Sequence, residues 1–263
     1  MAWTKPRTWV EGETLIASVF NTHVRDNLNF LHDKDRVHAV QTQNNALKDD
    51  EWEVIHFGGE AFDRGGMHSN RKRDAQIKFR QDGLYYLLFK IGFESLEDKD
   101  IESVAVDVST DLLTKNSHGL SNGDAVKLSA LGAVTNVTAG TVYYVVRADS
   151  DSFKISTEFG GDPRNLTGTD DNITVTLDPG ERSVMLRRNS NQNDSGGHQL
   201  GKWHAESISG STVYVDGYVL ARMRKGDHVN LFVKQNSGQK GLRALAGSSS
   251  TSFFQAVQMG GTS

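Results

Sequence analysis

The stretch GLYYLLFKIGF, residues 83–93, has apolar side chains on both faces of the β-strand that it predicts. Side chains alternate along a strand, so they fall into two sets. The first set comprises Tyr85, Leu87, Phe89, Ile91 and Phe93. The second set comprises Leu84, Tyr86 and Leu88. In a chain with a mean hydropathy of −0.49, both faces need a cover, which is either a second sheet or a second copy of the protein.

Length and composition favour a β protein without nucleic-acid or thiol chemistry. The chain has 263 residues, which suits one large β domain or two smaller ones. Its 29 basic and 33 acidic residues give a net charge of −4, which supplies no field for wrapping nucleic acid. Gly is abundant at 26 and Pro scarce at 3, as expected for many tight turns, and the absence of Cys excludes disulfides.

The N-terminal sequence MAWTKPRTWVEGETL has no apolar core of the kind that signal peptides contain. No run of the chain reaches the roughly 18 apolar residues of a membrane-spanning helix. We therefore expect a protein that is made and folded in a cytoplasm, does not insert into a membrane, and leaves the cell by a route such as lysis.

Residues 1 to about 13 predict an extended arm, followed by a helix. Trp3 and Trp9 lie in the arm, and exposed tryptophans indicate that it docks against another surface or folds back on its own domain. From Thr14 to about Asp33, apolar residues recur at helical spacing, with Thr14 or Ser18 as candidate N-cap. These apolar residues are Ile16, Val19, Phe20, Val24, Leu28 and Leu31. They span too few heptads for a coiled coil, so the helix needs sister copies or a receiving surface.

From about Val37 the helical period gives way to strand and turn signals. EWEVIHF and AQIKFRQDG precede the opening stretch, and STVYVDGYVLARM, KGDHVNLFVKQ and SFFQAVQM lie towards the C-terminus. Between them, from about Thr110 to Asp178, lies a segment of short β-branched strands with turns such as Asn-Gly-Asp. We expect some five short strands there, enough to close a small barrel.

The segment TWVEGETLIASVFNTHVRDNLNFL resembles the N-terminal segment of many tailed-bacteriophage virion proteins of the tail-fibre and minor-tail classes. The resemblance covers roughly a tenth of the chain. It implies that residues 1–36 form a virion anchor. The implied anchor residues are Trp3, Trp9, Ile16, Phe20, Val24, Leu28 and Leu31.

A second resemblance extends over two separated parts of the chain. IKFRQDGLYYLLFKIGF, VMLRRNSN, VDGYVLARMRKGDHVNLFV and SFFQAVQM resemble, in that order, the strands of the C1q/tumour-necrosis-factor-like jelly roll. The residues that match the family motifs are Phe79, Gly83, Tyr85, Tyr86, Gly226 and Asp227. The closing strand departs from the family, which usually has Gly after its Phe, because Phe254 and Gln255 follow Phe253 here.

The middle segment resembles a small β module that recurs in phage tail and virion proteins. The stretches that carry this resemblance are HGLSNGDAVKL and TAGTVYYVVRADSDSFKIS. It interrupts the jelly roll, which an exposed loop tolerates when its ends lie close together. The predicted fold is therefore mainly β, with a short N-terminal helix. Its parts are an anchor of residues 1–36, a jelly-roll sandwich of residues 37–108 and 179–263, and an inserted β-barrel module of residues 109–178.

The jelly-roll family assembles as compact homotrimers, which implies a cover for the second face of the opening strand. The set that contains Tyr85 fills the sandwich core, and the opposite set faces the three-fold axis. The implied interface residues are Leu84, Tyr86, Leu88, Tyr218, Leu220 and Phe232. The alternative is a monomer in which these residues pack under the insert or under a loop.

No motif predicts a catalytic site, a metal site or a cofactor, and we expect a protein that is not an enzyme. None of the nine His residues stands in HExxH, and no GxSxG elbow is present. His198 and His204 are a weak metal signal. The carboxylate pairs Asp49-Asp50 and Asp170-Asp171 are better explained as turn residues than as acid/base pairs. Residues 149–151 and 168–172 could offer oxygen ligands to calcium, but a plain turn is the better explanation.

The stretch NRKRDAQIKFR, residues 70–80, concentrates basic side chains. One interpretation is a binding patch for a host surface glycan or for a neighbouring virion protein. The other is a solvated loop whose charge blocks unwanted strand pairing.

The resemblances imply a trimeric tail fibre or minor tail protein of a phage. It would be located in the virion, anchored by its N-terminus, and would display a jelly-roll head for host-surface binding. The alternative is a capsid-attached head fibre or decoration protein. A third hypothesis is a polysaccharide-cleaving spike enzyme.

Overall fold

The computed structural model describes residues 4–71, 74–96, 100–191, 196–207, 210–237, 241–247 and 251–260. In these residues a short helical segment precedes a two-sheet β-sandwich, and a closed β-barrel is inserted into the sandwich. The predicted fold class, a jelly-roll sandwich with an inserted β-barrel and a short N-terminal helix, is confirmed. Trp3 and the side chain of Leu31 lie outside the described residues.

The N-terminal helix is built from three consecutive pieces. They are α1 (Ala17–Phe20), one π-helical turn (Asn21–Arg25) and α2 (Asp26–His32). Ile16 is the N-cap residue and makes no side-chain cap, so the predicted caps Thr14 and Ser18 are wrong. Ser18 lies inside the helix, where its carbonyl accepts the hydroxyl of Thr22 at 3.0 Å. Without a side-chain cap, this helix depends on tertiary contacts for stability.

Two sheets form the sandwich. The first sheet consists of β1 (Arg36–Val40), β2 (Asn45–Ala46), β4 (Gly59–Arg64), β6 (Gly83–Phe93), β15 (Val213–Met223), β17 (Arg243–Ala244) and β18 (Phe253–Gly260). The second sheet consists of β3 (Glu53–Val54), β5 (Ile77–Lys78), β13 (Glu181–Arg188), β14 (His198–Glu206) and β16 (His228–Gln235). All pairings between these strands are antiparallel.

The order of the principal strands defines the sandwich as a jelly roll. In the first sheet, β18 lies between β1 and β6, and β15 flanks β6 on its other edge. In the second sheet, β16 lies between β13 and the short strands β3 and β5, and β14 flanks β13. The last strand thus pairs with the first, and the next-to-last pairs with the second, which is the nested double Greek key of a jelly roll.

The sandwich core is filled by the side chains that the alternation of β6 predicted. Tyr85, Leu87, Phe89, Ile91 and Phe93 are all fully buried. Phe89 meets Trp203 of β14 edge-on, with ring centroids 4.8 Å apart. Gly217 lies opposite Phe89, and a Cβ at Gly217 would come within 2.8 Å of the Phe89 ring, so only glycine permits this contact. Phe254 is buried against Phe57 at 6.1 Å, so the departure in the closing strand still fills the core.

The insert is a closed barrel of six strands rather than five. They are β7 (Asp100–Asp107), β8 (Leu112–Thr114), β9 (Ala125–Ser129), β10 (Val142–Val146), β11 (Ser152–Ser156) and β12 (Ile173–Leu177). The predicted boundary at residue 108 is wrong, because β7 belongs to the barrel. Asp100 lies opposite Thr176, whose hydroxyl donates to the Asp100 carboxylate at 2.7 Å. The chain therefore enters and leaves the barrel through adjacent antiparallel strands.

The barrel has a core of its own. It is made mainly of aliphatic residues, with Phe153 as its one fully buried large aromatic side chain among residues 100–178. The sandwich core is a separate cluster and holds many aromatic rings, among them Phe57, Phe79, Phe89 and Phe254. Two separate apolar cores indicate two units that can each be stable.

Candidate functional site

The outer face of the first sheet is the candidate functional site. Strand register sets its side chains in rows across β15, β6, β18, β1 and β4. One row comprises Tyr218, Leu88, Gln255, His38 and Phe62. The next row comprises Leu220, Tyr86, Val257, Arg36 and Arg64. We call this surface the outer sheet face.

The outer sheet face is apolar along β15 and β6, and it is most open to solvent on β15. Tyr218 is 66% exposed and Leu220 57%, whereas Leu84, Tyr86 and Leu88 are half-buried. The rings of Tyr86 and Tyr218 lie 5.8 Å apart and form the centre of the patch. A contiguous apolar patch of this kind marks an interaction surface, since a solvated face of an antiparallel sheet is ordinarily polar.

Charged side chains border this apolar centre. The Arg36 guanidinium lies 5.9 Å from the centre of the Phe62 ring, and Lys90 Nζ lies 4.2 Å from the centre of the Tyr214 ring. The His38 ring packs on Phe253 at 4.9 Å. An apolar centre inside a polar rim is the usual arrangement of a protein–protein interface.

Phe232 does not belong to the outer sheet face, and its assignment to the interface is wrong. It lies on β16 in the other sheet, opposite Met185 and Val54, and is fully buried. The sequence correctly predicted that Phe232 points to the opposite face of β16 from Val229, Leu231 and Val233. Both faces of β16, however, are buried within one chain. Alternation identifies the two faces of a strand, whereas only the fold decides what covers each one.

The sequence also missed members of this surface. His38, Phe62 and Val257 join the rows named above, although none was singled out from the sequence. For His38 and Val257, the alternation of RVHAV in β1 and of FFQAVQMG in β18 already indicated which face of the strand each side chain occupies. Knowing that these strands neighbour β6 required the fold.

The N-terminal arm folds back on the helix instead of extending away from it. The backbone N–H of Thr4 donates to Oδ1 of Asn27 at 3.0 Å, and Nδ2 of Asn27 donates to the Thr4 carbonyl at 2.8 Å. The ring of Trp9 lies 6.3 Å from that of Phe20. These contacts form a small arm-and-helix unit around the buried side chain of Asn27.

Most of the predicted anchor residues lie on this unit with their side chains accessible. Ile16 is 59% exposed, Phe20 43% and Leu28 60%, while Trp9 and Val24 are half-buried. At its end the helix is held to the sandwich, because Arg64 donates to the His32 carbonyl at 3.1 Å and Lys34 to the Met259 carbonyl at 2.7 Å. Among the described residues, the unit thus keeps an apolar surface that is exposed to solvent.

A buried carboxyl lies where the helical segment meets the sandwich. Asp35 is 3% exposed, and the Tyr85 hydroxyl lies 3.4 Å from its Oδ2 atom. Burial raises the pKa of Asp35, and burial next to this carboxyl also raises the pKa of Tyr85. Gln81 donates to Oδ1 of Asp35 at 3.3 Å. The group is hydrogen-bonded within the fold, which is the arrangement of a structural buried carboxyl.

The described residues do not assemble a metal site. They contain no group of three or more His, Cys, Asp or Glu side chains that could hold a metal ion. His198 and His204 both lie on β14, and six residues of strand separate them by about 20 Å, so they cannot share a metal. Asp50 pairs with Lys234 at 2.5 Å, and Asp170 accepts the Asn172 N–H within its turn.

The basic stretch is partly used inside the fold. Arg80 donates through Nε and Nη2 to the Gly66 carbonyl at 2.8 and 2.6 Å, which ties the segment after β4 to the bend between β5 and β6. Lys72 and Arg73 lie outside the described residues. Among the helices that the structure describes, none is long and apolar enough to cross a membrane.

Comparisons with known proteins find likeness of structure without likeness of sequence. No protein-family model matches the chain, and no curated protein matches it in sequence. Murine APRIL at pH 5.0 aligns with a TM-score of 0.44 and 7% identity, over 86% of this chain and 99% of that chain. The globular domain of zebrafish complement 1qA gives 0.41 and 9%, over 87% and 100%. Eiger TNF from S. frugiperda gives 0.42 and 10%, over 88% and 96%.

Proposed function

We propose that this chain is a homotrimeric structural protein of a bacteriophage virion, of the tail-fibre or minor-tail class. Its N-terminal arm-and-helix unit attaches the trimer to the particle. The sandwich holds the three copies together, and the barrel and exposed loops are presented to the host surface. The protein is folded in the host cytoplasm and leaves it within the virion at lysis.

The outer sheet face is the observation that carries this proposal. Five of the interface residues inferred from the sequence lie on it, namely Leu84, Tyr86, Leu88, Tyr218 and Leu220. Burying one large apolar side chain stabilises an assembly by about 1.5–3 kcal/mol, so five of them in each of three copies supply enough for an obligate trimer. The three-fold symmetry is taken from the C1q/tumour-necrosis-factor-like family that the sequence resembles.

The exposed helix residues support the anchoring role. Ile16, Phe20 and Leu28 remain accessible while the end of the helix is hydrogen-bonded to the sandwich. Three such helices at one end of a trimer would present a single apolar plug to the particle. The sequence resemblance of this segment to virion proteins supplies the class of partner, which is another virion protein.

Assembly is tested by sedimentation of the full chain. We expect a species of about three times the 29.0 kDa chain mass at micromolar concentration. The double variant Tyr218→Lys, Leu220→Lys should sediment as a folded single chain, because two charges per copy would have to be buried. Phe159→Lys is the matched control, since Phe159 is 51% exposed on the barrel and should leave the trimer intact. A well-folded wild-type monomer would contradict the proposal.

Attachment is tested on virions. Removal of residues 1–33 should leave a soluble trimer that no longer joins particles. A truncated protein that is still incorporated at the wild-type level would show that the anchor lies elsewhere. Copy number against the major capsid band separates the two particle locations, because a handful of trimers indicates the tail and many tens indicate the capsid-attached alternative.

A further inference from the structure

The barrel carries an open groove that lies apart from the outer sheet face. It has a volume of about 450 Å³, within the roughly 300–1,000 Å³ of small-molecule sites. The turn before β9, the end of β10 and the loop after β11 enclose it. The side chains that matter here are Asn122, Val145, Val146, Arg147, Phe159 and Asp162.

An immobilised aromatic ring forms one side of the groove. Phe159 is 51% exposed although its ring is fixed, because it meets Tyr144 edge-on with centroids 5.9 Å apart. On another side the ring lies against the backbone of Gly123, where an added Cβ would be 3.0 Å from a ring carbon. Gly123 also has a φ of +98°, so its turn and its contact with the ring both require glycine. A fixed and exposed ring is a platform for an apolar surface of a ligand.

Polar groups with free hydrogen-bonding capacity surround the ring. Asn122 Oδ1 accepts the Ala148 N–H at 2.8 Å, which leaves the Nδ2 group as a donor without a partner among the described residues. Arg147 and Asp162 are exposed, and neither has an ion-pair partner in the part of the chain that the structure describes. Arg147 also has a φ of +52°, in the left-handed region that favours glycine.

The remaining features of the groove exclude other ligand classes. The backbone of β10 has no free edge here, because Val145 exchanges hydrogen bonds with Asp124 and Gly123 at 2.8 Å, so a peptide cannot add as a strand. One cation beside one carboxylate gives no net positive field for a polyanion. What fits is a neutral ligand with an apolar C–H face and several hydroxyl groups.

The geometry points to a saccharide site on the barrel, in which a pyranose ring lies on Phe159 and its hydroxyls bond to Asn122, Arg147 and Asp162. This inference deepens the proposed function and rests on it for the biological source of the ligand, a neutral glycan of the host surface. Three such sites on one trimer gain avidity without any further contact, so each site can be weak.

The test is a binding measurement on the full-length protein. An array of neutral and anionic bacterial surface oligosaccharides is probed with the wild-type protein, and the best neutral hit is titrated by biolayer interferometry. We expect Phe159→Ala to weaken that binding by roughly tenfold or more, as truncation of a central aromatic contact does. Arg164→Ala is the control, since Arg164 is also exposed on the barrel but lies outside this groove. Phe159 is not part of the barrel core, so the variant retains its fold.

The outcomes separate this inference from the proposed function. Absence of any neutral hit, equal binding by Phe159→Ala, or binding only to anionic glycans that high salt abolishes would each overturn the saccharide site. A wild-type trimer that joins virions but binds no saccharide would leave the proposed function standing alone. Saccharide binding that depends on Phe159 in a protein that sediments as a monomer would support the site and contradict the trimer.

Discussion

The sandwich and the barrel each bury an apolar core of their own, but they differ in the apolar side chains that they leave exposed. Among the described residues of the sandwich, five large apolar side chains are exposed, and all five lie on strands of the first sheet: Phe62, Tyr214, Tyr218, Leu220 and Met259. Within residues 100–178, all of which the structure describes, Phe159 is the one large apolar side chain that is exposed. The barrel therefore exposes little apolar surface, whereas the sandwich exposes an apolar patch on one sheet.

This difference in exposed apolar surface indicates that the sandwich needs a partner and that the barrel does not. A closed barrel has no free strand edge and needs no partner, so it can be displayed to solvent. An open sandwich with an apolar outer face needs a cover, which a second copy of the chain would supply in the proposed trimer. The variants below test whether the two units are separate in stability as well as in surface.

The largest effect is expected for Phe89→Ala in the sandwich core. The side chain is fully buried against Trp203, and its loss should lower the free energy of unfolding by about 3–5 kcal/mol. Calorimetry should show a lower melting transition for the sandwich while the barrel transition keeps its temperature. A shared shift of both transitions would show that the two cores unfold as one.

Leu113→Ala makes the complementary change in the barrel. Leu113 is fully buried on β8, and truncation should cost about 2–5 kcal/mol in barrel stability. Hydrogen exchange read by mass spectrometry should report faster exchange in residues 100–178 and unchanged exchange in β6 and β16. Faster exchange in β6 would contradict independent units.

Arg182→Met tests the junction between the two units and has a smaller expected effect. Arg182 is fully buried and donates to the Pro179 carbonyl at 2.7 Å, but its Nε and Nη2 atoms find no hydrogen-bond partner among the described residues. Burial lowers the pKa of this guanidinium to about 10, which means that desolvation of its charge destabilises the fold. An apolar side chain of similar length should leave stability equal or raise it by as much as about 2 kcal/mol.

Chemical denaturation of Arg182→Met and of Arg182→Ala decides between the contributions of charge and of packing. Loss of stability in the alanine variant alone would mean that the packing of the side chain is what matters. Loss in both variants would show that the attraction of Asp49 and Asp178 for this cation outweighs the cost of its burial.

The smallest effect is expected for Glu94→Gln at the end of β6. Hydrogen bonds from Arg243 lower the pKa of Glu94, so the pair stabilises the fold above the unfolded-state pKa of about 4.3. That contribution is lost as the pH falls through the folded-state pKa. Glu94→Gln should change the melting temperature at pH 7 by less than about 3 °C, since exposed pairs contribute little. Its melting temperature should also fall less than that of the wild type below pH 4.

The alternation of β6 predicted its two faces correctly, and the jelly-roll order followed from the strand motifs around it. Three predictions failed for reasons of context. Phe232 has the parity of an outward residue but lies in a sheet with two covered faces. The strand Asp100–Asp107 alternates like a sandwich strand but pairs with β12 in the barrel. The expected caps of the helix are absent because the helix begins after Thr14 and before Ser18.

The amino-acid sequence by itself determined the local conformations and the two-sided apolar character of residues 83–93, because side-chain alternation and turn chemistry depend on near neighbours. Only the tertiary structure decided which surfaces stay open. The outer sheet face joins strands from residues 36 to 260, and the groove at Phe159 joins three separate turns of the barrel. Such surfaces depend on the pairing of distant segments, and no local pattern records which segments will meet.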